Sequence, residues 1–61
     1  MALANNYYFG VTSHEAKKIT CVVTTDTEED AWAKLASSFE KEGGYASAVL
    51  VMVKETPYHL A

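Results

Sequence analysis

The side chains able to act as nucleophiles, bases or metal ligands are few and scattered. They are His14, His59, Cys21, the serines and eight carboxylates. Zinc sites draw their cysteines and histidines from one helix turn or a short loop. His14, Cys21 and His59 share neither, so the spacing points to no metal. Cys21 alternates with Ile19 and Val23 and reads as a small buried hydrophobe. Ser13 and His14 are adjacent, but a nucleophile and its base need converging geometry and oxyanion donors. They read as two loop residues. Gly43-Gly44 follows a helical pattern instead of opening one, so it does not suggest a phosphate cradle. The expectation is a non-enzymatic protein with no cofactor.

Two groups of side chains are better suited to contact than to catalysis. Glu28, Glu29 and Asp30 crowd one short stretch. At a helix start they compensate the dipole; they could equally form an acidic contact patch for a basic partner. Glu40 and Glu42, at the other end, oppose the dipole. The second group is the tyrosines, Tyr7, Tyr8, Tyr45 and Tyr58, four in 61 residues. Tyrosine is favoured at interface hot spots, and Tyr8 is the best single candidate.

The elements that position these groups follow from periodicity. Residues 1–6 read as an N-terminal tail. Residues 7–12 alternate Tyr7, Phe9, Val11 against Tyr8, Gly10, Thr12, a strand pattern. A polar hairpin connection spans 13–17. Residues 18–25 form a second strand, with Ile19, Cys21 and Val23 on one face and Thr20, Val22 and Thr24 on the other. The period then changes. Asp26 or Thr27 is suited to cap a helix over 27–42. Ala31, Trp32, Leu35, Ala36 and Phe39 fall within an arc of about 140°, one buried stripe. Gly43-Gly44 ends it. Residues 45–55 form a third strand, Pro57 ends pairing, and 56–61 is a C-terminal tail. The fold class is α+β: one ββαβ domain, with an amphipathic helix on one face of a three-stranded sheet. Strand order 2-1-3 or 1-2-3 stays open.

The third strand carries the functional inference. Its alternate sets are Ala46, Ala48, Leu50, Met52 and Ser47, Val49, Val51, Val53, and both are largely apolar. One helix shelters one face, so the other set lies on the open face beside Tyr8 and Val22. Exposed apolar patches of several hundred Å2 mark contact sites. The expected interface is Tyr8, Val22, Tyr45, Val49, Val51 and Val53, used face-on or by strand addition at the edge of the third strand. The expected partners are a second copy, as a homodimer, and an unidentified protein.

Composition narrows the classes further. Five lysines, no arginine and a net charge of -3 argue against nucleic-acid binding, which relies on arginine and positive potential. One cysteine excludes an internal disulfide, so a reducing cytoplasm is expected. Met1 to Asn6 has no basic or apolar signal region. The longest run of consecutive apolar residues, Ala48 to Val53, is far short of the ~20 that span a bilayer. An alternative expectation is a small oligomer holding a nucleotide or other small ligand between subunits.

The layout from Tyr7 to Val53 resembles that of the small bacteriophage proteins that inhibit host RNA polymerase. The matching segments are Tyr8-Phe9-Gly10-Val11, Val22-Val23-Thr24-Thr25, Thr27-Glu28-Glu29-Asp30-Ala31 and Ala48 to Val53. The resemblance implies a phage-type inhibitor that binds and blocks a host or defence protein. That family contacts polymerase through arginine and acidic residues. This chain has no arginine, so no functional residue is carried over.

Overall fold

The computed structural model describes residues 3–59, with side chains for residues 4–55. Met1, Ala2, Leu60 and Ala61, the ends of the two expected tails, lie outside the described residues. The element order is β1 (Leu3–Thr12), β2 (Lys18–Thr25), α1 (Glu28–Ser38), a 3-10 turn (Glu40–Glu42) and β3 (Ser47–His59). This is the expected ββαβ α+β fold. The sheet order is β2-β1-β3, with β1 central and antiparallel to both neighbours. The third strand is therefore an edge strand, and the choice left open by the sequence falls on 2-1-3.

β1 and β2 pair without interruption from Asn5↔Thr25 to Thr12↔Lys18. The hairpin is closed by local bonds: the Ala16 N–H donates to the Ser13 carbonyl at 2.9 Å, and the Lys17 N–H donates to Ser13 Oγ at 3.1 Å. Ala16 takes φ +65, a left-handed conformation that glycine adopts more easily. Tyr7, Phe9 and Val11 of β1 point to the helix and are buried. From β2, Val23 joins them and Cys21 is half-buried, whereas Ile19 is exposed.

Thr27, not Asp26, caps α1: its Oγ1 accepts the Asp30 N–H at 3.2 Å. The helix is shorter than the expected 27–42 and passes into the 3-10 turn after Phe39. The Gly44 N–H donates to the Phe39 carbonyl and the Gly43 N–H to the Glu40 carbonyl. That bond pair is a Schellman closure, which needs a left-handed residue at Gly43 (φ 76). The buried stripe is also narrower than the expected arc. Ala31, Leu35 and Phe39 are buried, Trp32 is half-buried and Ala36 is exposed. One helix on three strands touches along a line, so residues at the edge of the arc stay wet. Trp32 packs edge-on against Phe9, ring centroids 4.7 Å apart. Phe9, Leu35 and Val11 are the largest fully buried side chains. Each contributes roughly 1.5–3 kcal/mol of hydrophobic transfer.

β1 and β3 depart from their expected limits. β1 begins at Leu3, inside the expected N-terminal tail, because its early residues pair with the far end of β3. β3 runs through Pro57 to His59, where a C-terminal tail was expected. Pro57 does not end pairing: His59 still pairs with Leu3, across an irregularity in the ladder between Leu3 and Asn5. Proline is tolerated at an edge or a bulge, where its missing N–H breaks no ladder bond. A second register shift falls between Tyr8↔Met52 and Phe9↔Leu50. Val51 is the extra residue, a β-bulge. Beyond it the parity of β3 reverses, so neither of its expected alternating sets keeps one face.

Candidate functional site: the open sheet face

The face turned away from α1 is built in rows around β1. Asn6, Tyr8, Gly10 and Thr12 alternate with the buried residues and so share this face. Their β2 partners are Thr24, Val22, Thr20 and Lys18. Their β3 partners are Lys54, Met52, Val49 and Ser47. Val51 belongs here too, because its Cγ2 lies 3.5 Å from where a Gly10 Cβ would stand. Val51 is 65% exposed and Val49 60%; Val22 and Met52 are about half exposed. Tyr8 is half-buried among them.

The centre of the face is therefore apolar and its two ends are polar. At one end Thr24 Oγ1 donates to Asn6 Oδ1 at 2.7 Å, beside Lys54. At the other end stand Thr12, Lys18 and Ser47. Among the described residues, the rows of this face carry two lysines, at diagonally opposite corners, and no carboxylate. Asp26 lies just past the β2 end and starts the acidic run that continues through Glu28, Glu29 and Asp30. An apolar centre with a polar rim is the anatomy of a protein–protein contact.

Gly10 sits at the middle of the central strand and leaves a depression. A cleft of about 290 Å3 opens beside it, with Thr12, Lys18, Thr20 and Val49 in its walls. The monomer does not need glycine there. The φ of Gly10 is not positive. An added Cβ would meet only Val49 Cγ2 and Val51 Cγ2, both at 3.5 Å, ordinary contact distance. A strand glycine marks a bulge or a close approach, and here the bulge residue Val51 lays its Cγ2 beside the position.

The structure separates the expected interface residues. Tyr8, Val22, Val49 and Val51 come together on the open face. Tyr45 does not join them: it precedes β3 and packs edge-on against Phe39, 5.6 Å between centroids, as part of the core margin. Val53 is also displaced. The bulge pairs it with Tyr7, on the helix side. It remains 46% exposed, because α1 lies along β2 and leaves β3 largely uncovered. Met52 takes the place on the open face that alternation assigned to Val53. Glu28, Glu29 and Asp30 are exposed at the start of α1; Glu28 accepts from Trp32 Nε1 at 3.3 Å. They form a patch separate from the apolar centre.

Sequence reasoning passed over Gly10 and Lys18, and assigned Met52 to the set opposite Val49 and Val51. A signal for Gly10 was present, a lone glycine inside a strand pattern. None existed for Met52, since a bulge leaves no mark in alternation.

The remaining chemistry-bearing residues are placed as follows. Ser13 Oγ is held by the Lys17 amide, and His14 Nε2 donates to the Gly43 carbonyl at 3.3 Å. That bond ties the hairpin loop to the helix end, across a cleft of about 200 Å3 that Ile19 and Phe39 also line. Ser13 and His14 are thus each engaged elsewhere and not with one another. His59 lies in β3, not in a tail, opposite Leu3. Among the described residues no three His, Cys, Asp or Glu side chains cluster as a metal site would require. No described helix is long and apolar enough to cross a membrane. No protein-family model matches the chain, and no curated protein or solved structure matches it either.

Proposed function

We propose that this protein is a non-enzymatic protein-binding module that works through the open face of its sheet. The observation that supports this reading is the bare apolar centre: Val22, Val49, Val51 and Met52 exposed around Tyr8 and Gly10. A domain this small has few apolar residues to spare, and leaving these in water gains it nothing unless a partner covers them. The face is favoured over strand addition at the β3 edge. The Val51 bulge, Lys54, Glu55 and Pro57 all interrupt that edge, and these are the devices that block edge-to-edge pairing. On the resemblance noted above, the partner is a bacterial host or defence protein that the module blocks by occupying its surface.

Site-specific photocrosslinking tests this. A benzophenone side chain at Val51 or Val22 should give a discrete, saturable adduct in a bacterial lysate. The same group at Ala33, exposed on α1, should not. Equal labelling from all three positions would remove the open face as the site.

A second reading has one observation in its favour. The depression at Gly10 is walled by Thr12, Thr20 and Lys18, which suit a small anionic ligand such as a nucleotide held between subunits. Ligand at 100 times its dissociation constant stabilises the folded state by about 2.7 kcal/mol. An unchanged melting temperature across a nucleotide panel would exclude it.

A further inference from the structure

The sheet has two outer edges, and they differ. The β3 edge is interrupted by the Val51 bulge and by Pro57. The β2 edge carries neither device. Lys18 to Thr25 pairs with β1 without a register shift, and between Lys18 and Asp26 there is no glycine, proline or charge. An edge this regular is a template for another strand. The Lys17 carbonyl accepts the Ser13 N–H at 2.9 Å, so the odd residues of β2 turn their backbone groups to β1. Thr20, Val22 and Thr24 turn theirs outward. Among the described residues no strand lies beyond β2, and no turn or cap bond reaches those groups. On the helix side of β2, Ile19 is exposed and Cys21 half-buried, so α1 does not overhang this stretch of the edge.

Exposure on both sides of the strand points the same way. Ile19 is bare on the helix side and Val22 on the open side. A partner laid on either face would cover one of them. A strand added at the edge flanks both. We propose that β2 of a second copy of this chain adds antiparallel to this edge, joining the two three-stranded sheets into one.

The two-fold axis stands normal to the sheet, so both helices lie on one side and residues of equal parity face each other. With the axis at Val22, Val22 meets the partner's Val22, Thr20 the partner's Thr24, Cys21 the partner's Val23 and Ile19 the partner's Thr25. The outward groups of Thr20, Val22 and Thr24 then meet in pairs, about six N–H···O bonds in all. Charge selects this register. It sets Lys18 across from the partner's Asp26, the residue next after Thr25, and opposite charges across a ladder are favourable. With the axis at Cys21, Lys18 would face the partner's Thr24 and both ion pairs would be lost. Each copy brings the same bare edge, so one contact satisfies both. The outer edges of the joined sheet are the two interrupted β3 strands, so the isologous contact closes at two subunits. The contact does not depend on what the open face binds.

Sedimentation equilibrium on the full chain, up to roughly millimolar concentration, tests the proposal together with amide exchange followed by NMR. The expected result is a monomer–dimer equilibrium. In it the Thr20, Val22 and Thr24 amides exchange more slowly as concentration rises, and the Glu15 amide of the hairpin loop does not. Val22→Lys and Val22→Glu each set like charges across the axis, and each should raise the dissociation constant about tenfold or more. Mixed in equal amounts, the two variants should recover a heterodimer, which only a self-opposed position allows. Val22 is exposed, and circular dichroism reports that each variant is folded. A chain monomeric throughout the range overturns the proposal. So does a dimer in which those three amides show no slowing with concentration, or a wild-type dimer that the mixed variants cannot reproduce. A monomer that still gives the Val51 crosslink overturns the dimer and leaves the protein-binding face in place. A dimer with protected β2 amides and no Val51 crosslink supports the edge contact and removes that face.

Discussion

Replacing Gly10 with alanine separates what the fold requires from what a partner requires. Glycine within a strand is destabilising by about 0.5–1 kcal/mol relative to alanine, through the larger entropy of the unfolded chain. At most positions that gain is cancelled by a clash or a strained φ. Neither applies here, since the added Cβ stands 3.5 Å from Val49 Cγ2 and from Val51 Cγ2. Gly10→Ala is therefore expected to stabilise the dilute chain by about 0.5–1 kcal/mol, or about 2–8 °C in Tm for a domain of this size. The assay is urea unfolding followed by circular dichroism, over a dilution series low enough that self-association adds nothing. The slope m should stay unchanged. The same substitution partly fills the depression, so any complex made through this face should weaken. Stability and binding then move in opposite directions. A loss of more than about 0.5 kcal/mol in the dilute chain would refute the reasoning. Gly10 would then be demanded by the fold, and its notch would cease to mark a partner.

Three further perturbations probe the scaffold beneath the face. Ala16→Gly should stabilise the hairpin by about 0.5–1 kcal/mol, because the φ of +65 suits glycine and part of that gain is offset in the unfolded chain; a lower Tm would contradict it. Thr27→Ala removes the oxygen that accepts the Asp30 N–H. It should destabilise by about 1 kcal/mol in chemical denaturation, and an unchanged midpoint would show that another group caps α1. Leu35→Ala empties the centre of the core and should be destabilising by about 2–5 kcal/mol. A domain of this length holds only about 3–5 kcal/mol in total, so the variant should lose its amide dispersion in NMR spectra; retained dispersion would mean that the core is held elsewhere.

The departures of the structure from the sequence reading arise where pairing or packing between distant segments overrides the local pattern. Strand β2 was legible in its limits, Lys18 to Thr25, and in its alternation, because it is regular and uninterrupted, although Ile19 at its start escapes the cover of the helix. The start of α1 was legible because a threonine cap followed by acids and then an apolar stripe is a local signal. β3 was legible as a strand but not in its facing. Alternation fixes a face only while one residue opposes one, and the bulge at Val51 sets two residues of β3 against one of β1. That exchange moved Met52 onto the open face and Val53 off it. Tyr45 was misplaced for a related reason: it stands ahead of the strand, where the chain turns past Phe39, and no periodicity governs it.

Composition and periodicity alone thus determined the ββαβ order, the start of the helix to within a residue, the buried row Tyr7, Phe9, Val11, and the fact that β3 is apolar on both sides. These are local properties, each written within a few consecutive residues. Tertiary structure decided that β1 is the middle strand, that the ladder continues past Pro57, and which side chains of β3 share a face with Gly10. Those depend on pairing between segments some forty residues apart, and register across such a separation is set by which rows pack against the helix, which no single stretch of sequence contains.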